Sequence, residues 1–239
     1  MPLDIVEKDY VLGWVLVGLS GVPDLVLKGG TALSKVYFPQ DWRFSEDLDF
    51  STNHNNWSAL DNGISTALST TSQGSGILFV KRSTHHNPGY FQLRIQYDAI
   101  LSKNTVKVDI TSEPVLGPVQ NLAMPKSYSD YPDVRVNLES RQEILAEKLR
   151  ALLERTKARD YYDVWRLVQP QIEKTETKRL FLEKAKFRGI NWTGVDDFFP
   201  AGLEDRLAGY WEVELGRLVQ PVPDMRTVLF ELRSRLDWL

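Results

Sequence analysis

Apolar positions recur at close to 3.6-residue spacing from Leu3 to Ser20, at Ile5, Val6, Val11, Leu12, Val15, Leu16 and Leu19, until Gly21 and Pro23 end the pattern. This predicts a helix. A short apolar run, Asp24 to Lys28, then meets Gly29-Gly30-Thr31, after which Ala32, Leu33, Val36 and Tyr37 resume helical spacing ahead of Pro39. The order predicted is strand, tight turn, helix. From Asp47 to Ser51 the period drops to two. Leu48 and Phe50 share one side, and Asp47, Asp49 and Ser51 the other, as in a half-buried strand.

A polar stretch, Thr52 to Asn56, precedes a predicted helix from Trp57 to Leu68 and a Ser/Thr/Gly-rich loop from Ser69 to Gly76. Ile77 to Lys81, Tyr90 to Tyr97 and Thr105 to Thr111 are rich in β-branched and aromatic residues. The breakers Asn87-Pro88-Gly89 and Ser102-Lys103-Asn104 between them suit antiparallel neighbours. Residues Ser112 to Asn137 hold four prolines and no periodic pattern, which predicts a linking stretch over the core. Helical spacing then dominates in Leu138 to Arg155, Ala158 to Val168, Glu176 to Arg188, Leu203 to Leu218 and Asp224 to Trp238. The expected fold class is α/β plus α: an α/β lobe with a mixed sheet over residues 1–137, an all-helical lobe over 138–239, and a cleft between them.

Composition narrows the chemistry. A chain of 239 residues with 42% hydrophobic and 26% charged residues is not disordered, collagen-like or built of repeats. It has no apolar run of the roughly 18 residues a membrane span needs and no secretory signal pattern at its start, so the expected location is cytoplasmic, with no membrane partner. Without cysteine, disulfides, thiolate nucleophiles and cysteine zinc sites are excluded. The only histidines are His54, His85 and His86, so a metal here would be a hard cation on carboxylates. His85-His86 is expected in a solvated hairpin loop, and the seven tryptophans in packing. Net charge is −3, yet Glu139 to Arg188 carries 13 Lys and Arg against 9 Asp and Glu. That excess is either a solvated helix face, with pairs such as Glu143/Lys148 and Glu154/Arg155, or a footprint for phosphates.

Three features carry candidate chemistry. Lys28-Gly29-Gly30-Thr31 is either a plain turn or an anion site of exposed N–H groups at a helix start; it is not a Walker A sequence. Asp47 and Asp49 project from one strand face about 7 Å apart. Their mutual repulsion is either a chance feature of a solvent-facing strand or the mark of a divalent cation held with substrate phosphates. Asp109 interrupts the β-branched run Val108-Asp109-Ile110, with Val106, Val108 and Ile110 on one face and Lys107, Asp109 and Thr111 on the other, where it can join Asp47 and Asp49. Three carboxylates beside a glycine turn make up a two-metal nucleotidyl-transfer site.

The run Leu27 to Phe50, LKGGTALSKVYFPQDWRFSEDLDF, closely resembles the signature of the AbiEii/AbiGii toxin nucleotidyltransferases. These are a branch of the polymerase-β-like superfamily that supplies the toxins of type IV toxin–antitoxin and phage-defence systems. Val6-Glu7-Lys8-Asp9-Tyr10, Lys107-Val108-Asp109-Ile110, Leu145-Ala146-Glu147-Lys148-Leu149 and Ala158-Arg159-Asp160-Tyr161-Tyr162-Asp163 resemble further motifs of the same family. The resemblance covers about residues 5 to 168; where relatives often carry Gly-Ser before the acids, this chain has Gly30-Thr31.

The resemblance implies a minimal nucleotidyltransferase fold that moves a nucleoside monophosphate from an NTP to an acceptor hydroxyl, with the tRNA 3′ end as the expected acceptor, and so blocks translation. Asp47, Asp49 and Asp109 would hold Mg²⁺ or Mn²⁺, while Lys28, Gly29, Gly30, Thr31 and Ser45 would bind the nucleotide. Lys148, at the edge of the helical stripe Ile144, Leu145, Leu149 and Leu152, is either a lysine with its stem laid on the core or a point charge for the triphosphate. Asp160 is either a functional acid positioning Lys148, the nucleotide or the acceptor, or half of an Arg-Asp tie between helices. The implied partners are NTP, tRNA or another RNA, and a cognate antitoxin. The alternatives are nucleotidylation of a protein or small molecule, and an NTP-binding partner protein that transfers nothing.

Overall fold

The computed structural model of the protein describes residues 2–53 and 56–239; His54 and Asn55, within the polar stretch read above, lie outside the described residues. The chain forms two compact units, one ending at Glu139 and the other beginning at Ser140.

The first unit is built on a seven-stranded mixed sheet. Its strands are β1 (Leu25–Lys28), β2 (Asp47–Thr52), β3 (Leu78–Asn87), β4 (Tyr90–Asp98), β5 (Lys103–Thr111), β6 (Gln120–Ala123) and β7 (Arg135–Leu138), in the order β3-β4-β5-β2-β1-β7-β6. β2 runs parallel to β5 and antiparallel to β1, and β1 runs parallel to β7. β3, β4 and β5 form the antiparallel meander that their turn residues predict. Period-two alternation buries Leu48, Phe50, Val106, Val108 and Ile110 on one side of the central strands and leaves the intervening aspartates on the other.

Helix α1 (Leu3–Leu19) buries Ile5, Val11, Leu12, Trp14, Val15, Leu16 and Leu19. It packs against α3 (Trp57–Ser75), whose buried positions Leu60, Ile64, Leu68 and Thr71 fall on one stripe. α3 runs through the stretch that its Ser/Thr/Gly content assigns to a loop. Its hydroxyls bond back to carbonyls four residues earlier, at Ser65, Thr66, Thr70, Thr71 and Ser75, so they serve the helix instead of competing with it. Gly76, at φ +72°, ends it.

Two other expectations are corrected. His85 and His86 lie in β3, paired with Gln92 and Phe91, not in a loop; this half of the edge strand is exposed on both faces, so alternation gives no signal there. β6 forms within the stretch Ser112 to Asn137, and β7 runs from its end to Leu138. β6 buries no residue, which is why it has no apolar period.

The second unit is helical: α4 (Arg141–Glu154), α5 (Ala158–Leu167), α6 (Lys174–Phe187), α7 (Leu203–Ala208), α8 (Trp211–Leu215) and α9 (Met225–Arg235). α7 and α8 replace the single predicted helix Leu203–Leu218, which is interrupted at Gly209-Tyr210. Ser140 caps α4 by accepting from the Glu143 N–H at 3.2 Å. α4 packs on α5 and α6, and α5 on α8 and α9. Among the described residues no helix is long and apolar enough to cross a membrane.

Candidate active site

The glycine turn abuts the aspartate strand. Gly29 sits at the start of α2 (Gly29–Ala32) with φ +69°, a conformation that disfavours any side chain. A Cβ there would fall 2.9 Å from Asp49 Oδ2, and one on Gly30 would fall 3.1 Å from both Arg43 Nη2 and Ser45 Oγ. The paired glycines therefore let backbone N–H groups approach the carboxylate strand closely. The Thr31 hydroxyl donates to the Asp47 carbonyl and lies 2.8 Å from Ser45 Oγ, fastening the residues before β2 to the turn. Lys28 ends β1 opposite Asp49.

α2 continues into a π-helical turn, Leu33–Tyr37, whose Lys35 is almost fully buried. Its ammonium meets Asp9 Oδ2 at 2.6 Å and the Asp9 carbonyl at 2.8 Å. Burial pulls Lys35 below the ordinary lysine range, with Asp9 opposing. One turn of α1 thus anchors the helix after the glycines, while Lys8 reaches Glu46, just ahead of Asp47, at 3.4 Å.

Strand register brings the acids together. Parallel pairing sets Asp49 opposite Asp109 and Asp47 opposite Lys107. The Lys107 ammonium lies 2.7 Å from Asp109 Oδ2 and 3.8 Å from Asp47 Oδ2, so both carboxylates are within reach of one cation. The other Asp109 oxygen accepts from Tyr90 Oη at 2.7 Å and Gln92 Nε2 at 3.0 Å. Burial favours a neutral Asp109, but the hydrogen bonds from Lys107, Tyr90 and Gln92 and the lysine charge outweigh it and hold the carboxyl below its ordinary range. Burial likewise disfavours charge on Lys107. The Asp109 hydrogen bond and the Asp47, Asp109 and Asp49 charges overcome it and raise the ammonium above its usual range.

Tyr90, Gln92 and Lys107 complete this face and Arg43 lies beside Gly30, though none was singled out for chemistry from the sequence. Arg43 is buried, with Nη1 donating to the Phe44 carbonyl at 2.9 Å. The alternation that places Lys107 beside Asp109 was visible in the sequence. The partner strand that brings Tyr90 and Gln92 to the same carboxylate was not.

In the second unit, Lys148 on α4 joins Asp160 Oδ1 and Asp163 Oδ2 on α5, each at 2.9 Å. Both aspartate side chains are fully buried, and Arg155 Nε adds a bond to Asp160 at 2.8 Å. Burial favours neutral Asp160, yet the Lys148 charge and the Arg155 contacts win and hold it far below the carboxylate range. Asp160 therefore both positions Lys148 and makes an Arg-Asp pair. Glu143 and Glu147 meet the fully buried Lys184 at 2.9 and 3.0 Å. Three of the cations counted in the basic region, Lys148, Arg150 and Lys184, face inward or nearly so, while Lys157, Lys174 and Lys186 are exposed.

Among the described residues no three His, Asp or Glu side chains stand as a preformed metal cage. The donor set nevertheless suits a divalent cation. Asp47, Asp49 and Asp109 offer hard oxygens on one face, and Mg²⁺ needs only one or two protein carboxylates when substrate phosphates supply the rest. A cation, the Lys107 ammonium, already lies between two of them.

A mixed sheet that sets aspartates of neighbouring strands against a glycine turn defines a nucleotidyltransferase. The chain belongs to the family described as nucleotidyl transferase AbiEii toxin, type IV toxin–antitoxin system, which matches residues 16–239. It is a nucleotidyltransferase enzyme of the toxin class, which implies an NTP substrate and an antitoxin partner. Its fold is similar to that of MenT4, a nucleotidyltransferase toxin from Mycobacterium tuberculosis, with a TM-score of 0.72 and 25% identity over 98% of this chain and 83% of that one. JHP933 from Helicobacter pylori shares the fold at a TM-score of 0.65 and 20% identity, covering 99% of this chain and 91% of its own. No curated protein sequence matches the chain.

Proposed function

We propose that the protein is a Mg²⁺-dependent toxin, with Mn²⁺ as a substitute, that transfers a nucleoside monophosphate from an NTP to the 3′-terminal hydroxyl of tRNA and so halts translation. The acceptor oxygen bonds to the α-phosphorus, the bond to the β-phosphate oxygen breaks, and pyrophosphate leaves with the displaced electron pair. The observation that carries this reading is the register of Asp49 with Asp109 beside a left-handed Gly29, where a Cβ would fall 2.9 Å from Asp49 Oδ2.

Asp47, Asp49 and Asp109 would hold the metal, whose charge stabilises the phosphoryl oxygens and the leaving pyrophosphate. The N–H groups of Gly29, Gly30 and Thr31, with Ser45 and Lys28 beside them, cradle the β- and γ-phosphates. Asp109, ionised and fixed by Tyr90 and Gln92, helps to withdraw the acceptor hydroxyl proton. Lys148 acts on the triphosphate as a point charge, and Asp160 positions it. Exposed Lys157, Lys174 and Lys186 guide the RNA. Action in the cytoplasm, as a phage defence restrained by a cognate antitoxin, fits this chemistry.

The test is incubation with each α-labelled NTP, Mg²⁺ and either total tRNA or cell lysate. Label on tRNA, lost when the 3′ hydroxyl is destroyed by periodate, is expected. Label on protein or a small molecule would move the acceptor, and no label from any NTP in any pool would overturn the reading.

A further inference from the structure

The carboxylate face carries its own cation. Lys107 is two residues before Asp109 on β5, opposite Asp47 on β2, and alternation sends its side chain to the same polar face. Its ammonium touches Asp109 at 2.7 Å and approaches Asp47 at 3.8 Å. Tyr90 and Gln92 occupy the other Asp109 oxygen, so the oxygen that Lys107 takes is the one left for any other cation. The lysine is about one third exposed, on a four-carbon stem with a solvent route away from the acids.

We propose that Lys107 is a resident counter-ion that holds the aspartates together in the metal-free enzyme and must leave when the divalent cation binds. This deepens the proposed function and rests on its assignment of Asp47, Asp49 and Asp109 to the metal. Lying between Asp47 and Asp109, the Lys107 ammonium offsets their mutual repulsion. With it, the metal-free sheet tolerates the cluster, and the cation gains less on binding because it replaces a charge already present. Lys107 thus lowers metal affinity while it stabilises the metal-free fold.

The test uses Mn²⁺ alone, without nucleotide, titrated calorimetrically into the full chain, with melting followed at each metal concentration. Lys107→Met should melt lower than wild type without metal, bind Mn²⁺ at least tenfold more tightly, and show the larger metal-induced rise in Tm. Lys107→Arg, which keeps the charge, should stay near wild-type affinity. Lys107→Gln, which keeps a donor for Asp109 but not the charge, gives the same reading should Lys107→Met fail to fold. Asp49→Asn is the control for the site. If it abolishes Mn²⁺ binding while the neutral Lys107 variants bind no more tightly than wild type, the counter-ion inference is overturned and the metal assignment stands. If Asp49→Asn leaves binding unchanged, the metal assignment falls and takes this inference with it; if neither wild type nor the Lys107 variants bind Mn²⁺ without nucleotide, the counter-ion inference is overturned.

Discussion

Each unit of the protein holds a lysine between two aspartates, and the two arrangements differ in how water reaches them. In the first unit, Lys107 spans Asp47 and Asp109 with side chains 31%, 29% and 16% exposed. In the second, Lys148 spans Asp160 and Asp163, which are 0% exposed. The chemistry is the same, but the consequences diverge. Separating a buried pair leaves an uncompensated charge in a poor solvent for it, whereas a half-exposed pair is rehydrated as it opens. On the proposed function the first triad is the one able to exchange its cation, while the second is a buried fixture that holds Lys148.

The comparison breaks most visibly at Asp49. Replacing it with alanine removes a carboxylate proposed to hold the metal from a face that water reaches, so transfer should fall by several kcal/mol of barrier, on the order of 10³-fold, with little change in melting. Near wild-type labelling by Asp49→Ala would detach the chemistry from this face.

Asp160→Asn should act first on stability, costing about 3–5 kcal/mol, read by urea or thermal unfolding, and should lower transfer through the Lys148 it positions. The pH profile carries the sign. Asp160 titrates below its unfolded value, so its contribution is complete above the ordinary aspartate range near about 4 and is lost as pH falls toward the depressed folded value. The acid limb of the stability curve should therefore flatten in Asp160→Asn. An unchanged limb would mean that the Lys148 cluster does not act as a buried ionic anchor.

Lys148 sharpens the contrast, because its two roles separate by substitution. Lys148→Ala should lose both stability and transfer, since two buried carboxylates remain. Lys148→Arg should recover stability better than transfer, because a planar fork replaces a compact charge. Equal recovery of both would reduce Lys148 to a structural cation.

The parts of this picture legible in the sequence are those that depend on one strand or one helix. Alternation alone put Asp47 and Asp49 on one face and Val106, Val108 and Ile110 on the other, and helical spacing drew the α4 stripe. What depends on two elements was not legible from periodicity: the register of Asp49 with Asp109, the supply of Tyr90 and Gln92 from β4, and the bond between Lys184 of α6 and Glu143 of α4. The misread segments have two causes. The serines and threonines of α3 carry loop-like composition while bonding back into their own helix, and the outer half of β3 and β6 pair through backbone with little buried side-chain period to betray them.

The smallest effect expected is on the acceptor. Lys157→Ala, Lys174→Ala and Lys186→Ala should each lower tRNA labelling modestly, and each lost phosphate contact should reduce the log–log salt slope by roughly 0.7–0.9. Labelling that ignores both salt and these substitutions would favour a protein or small-molecule acceptor.

The central claim is that the open triad is a cation-exchange site for nucleotidyl transfer. It is tested most directly by crystals grown with Mn²⁺ and a non-hydrolysable NTP, using the anomalous signal of the metal. The account predicts a manganese peak bonded to carboxylate oxygens among Asp47, Asp49 and Asp109, with the Lys107 ammonium withdrawn from Asp109. A nucleotide bound with its metal elsewhere, or a peak at these aspartates with Lys107 still in contact with Asp109, would contradict it.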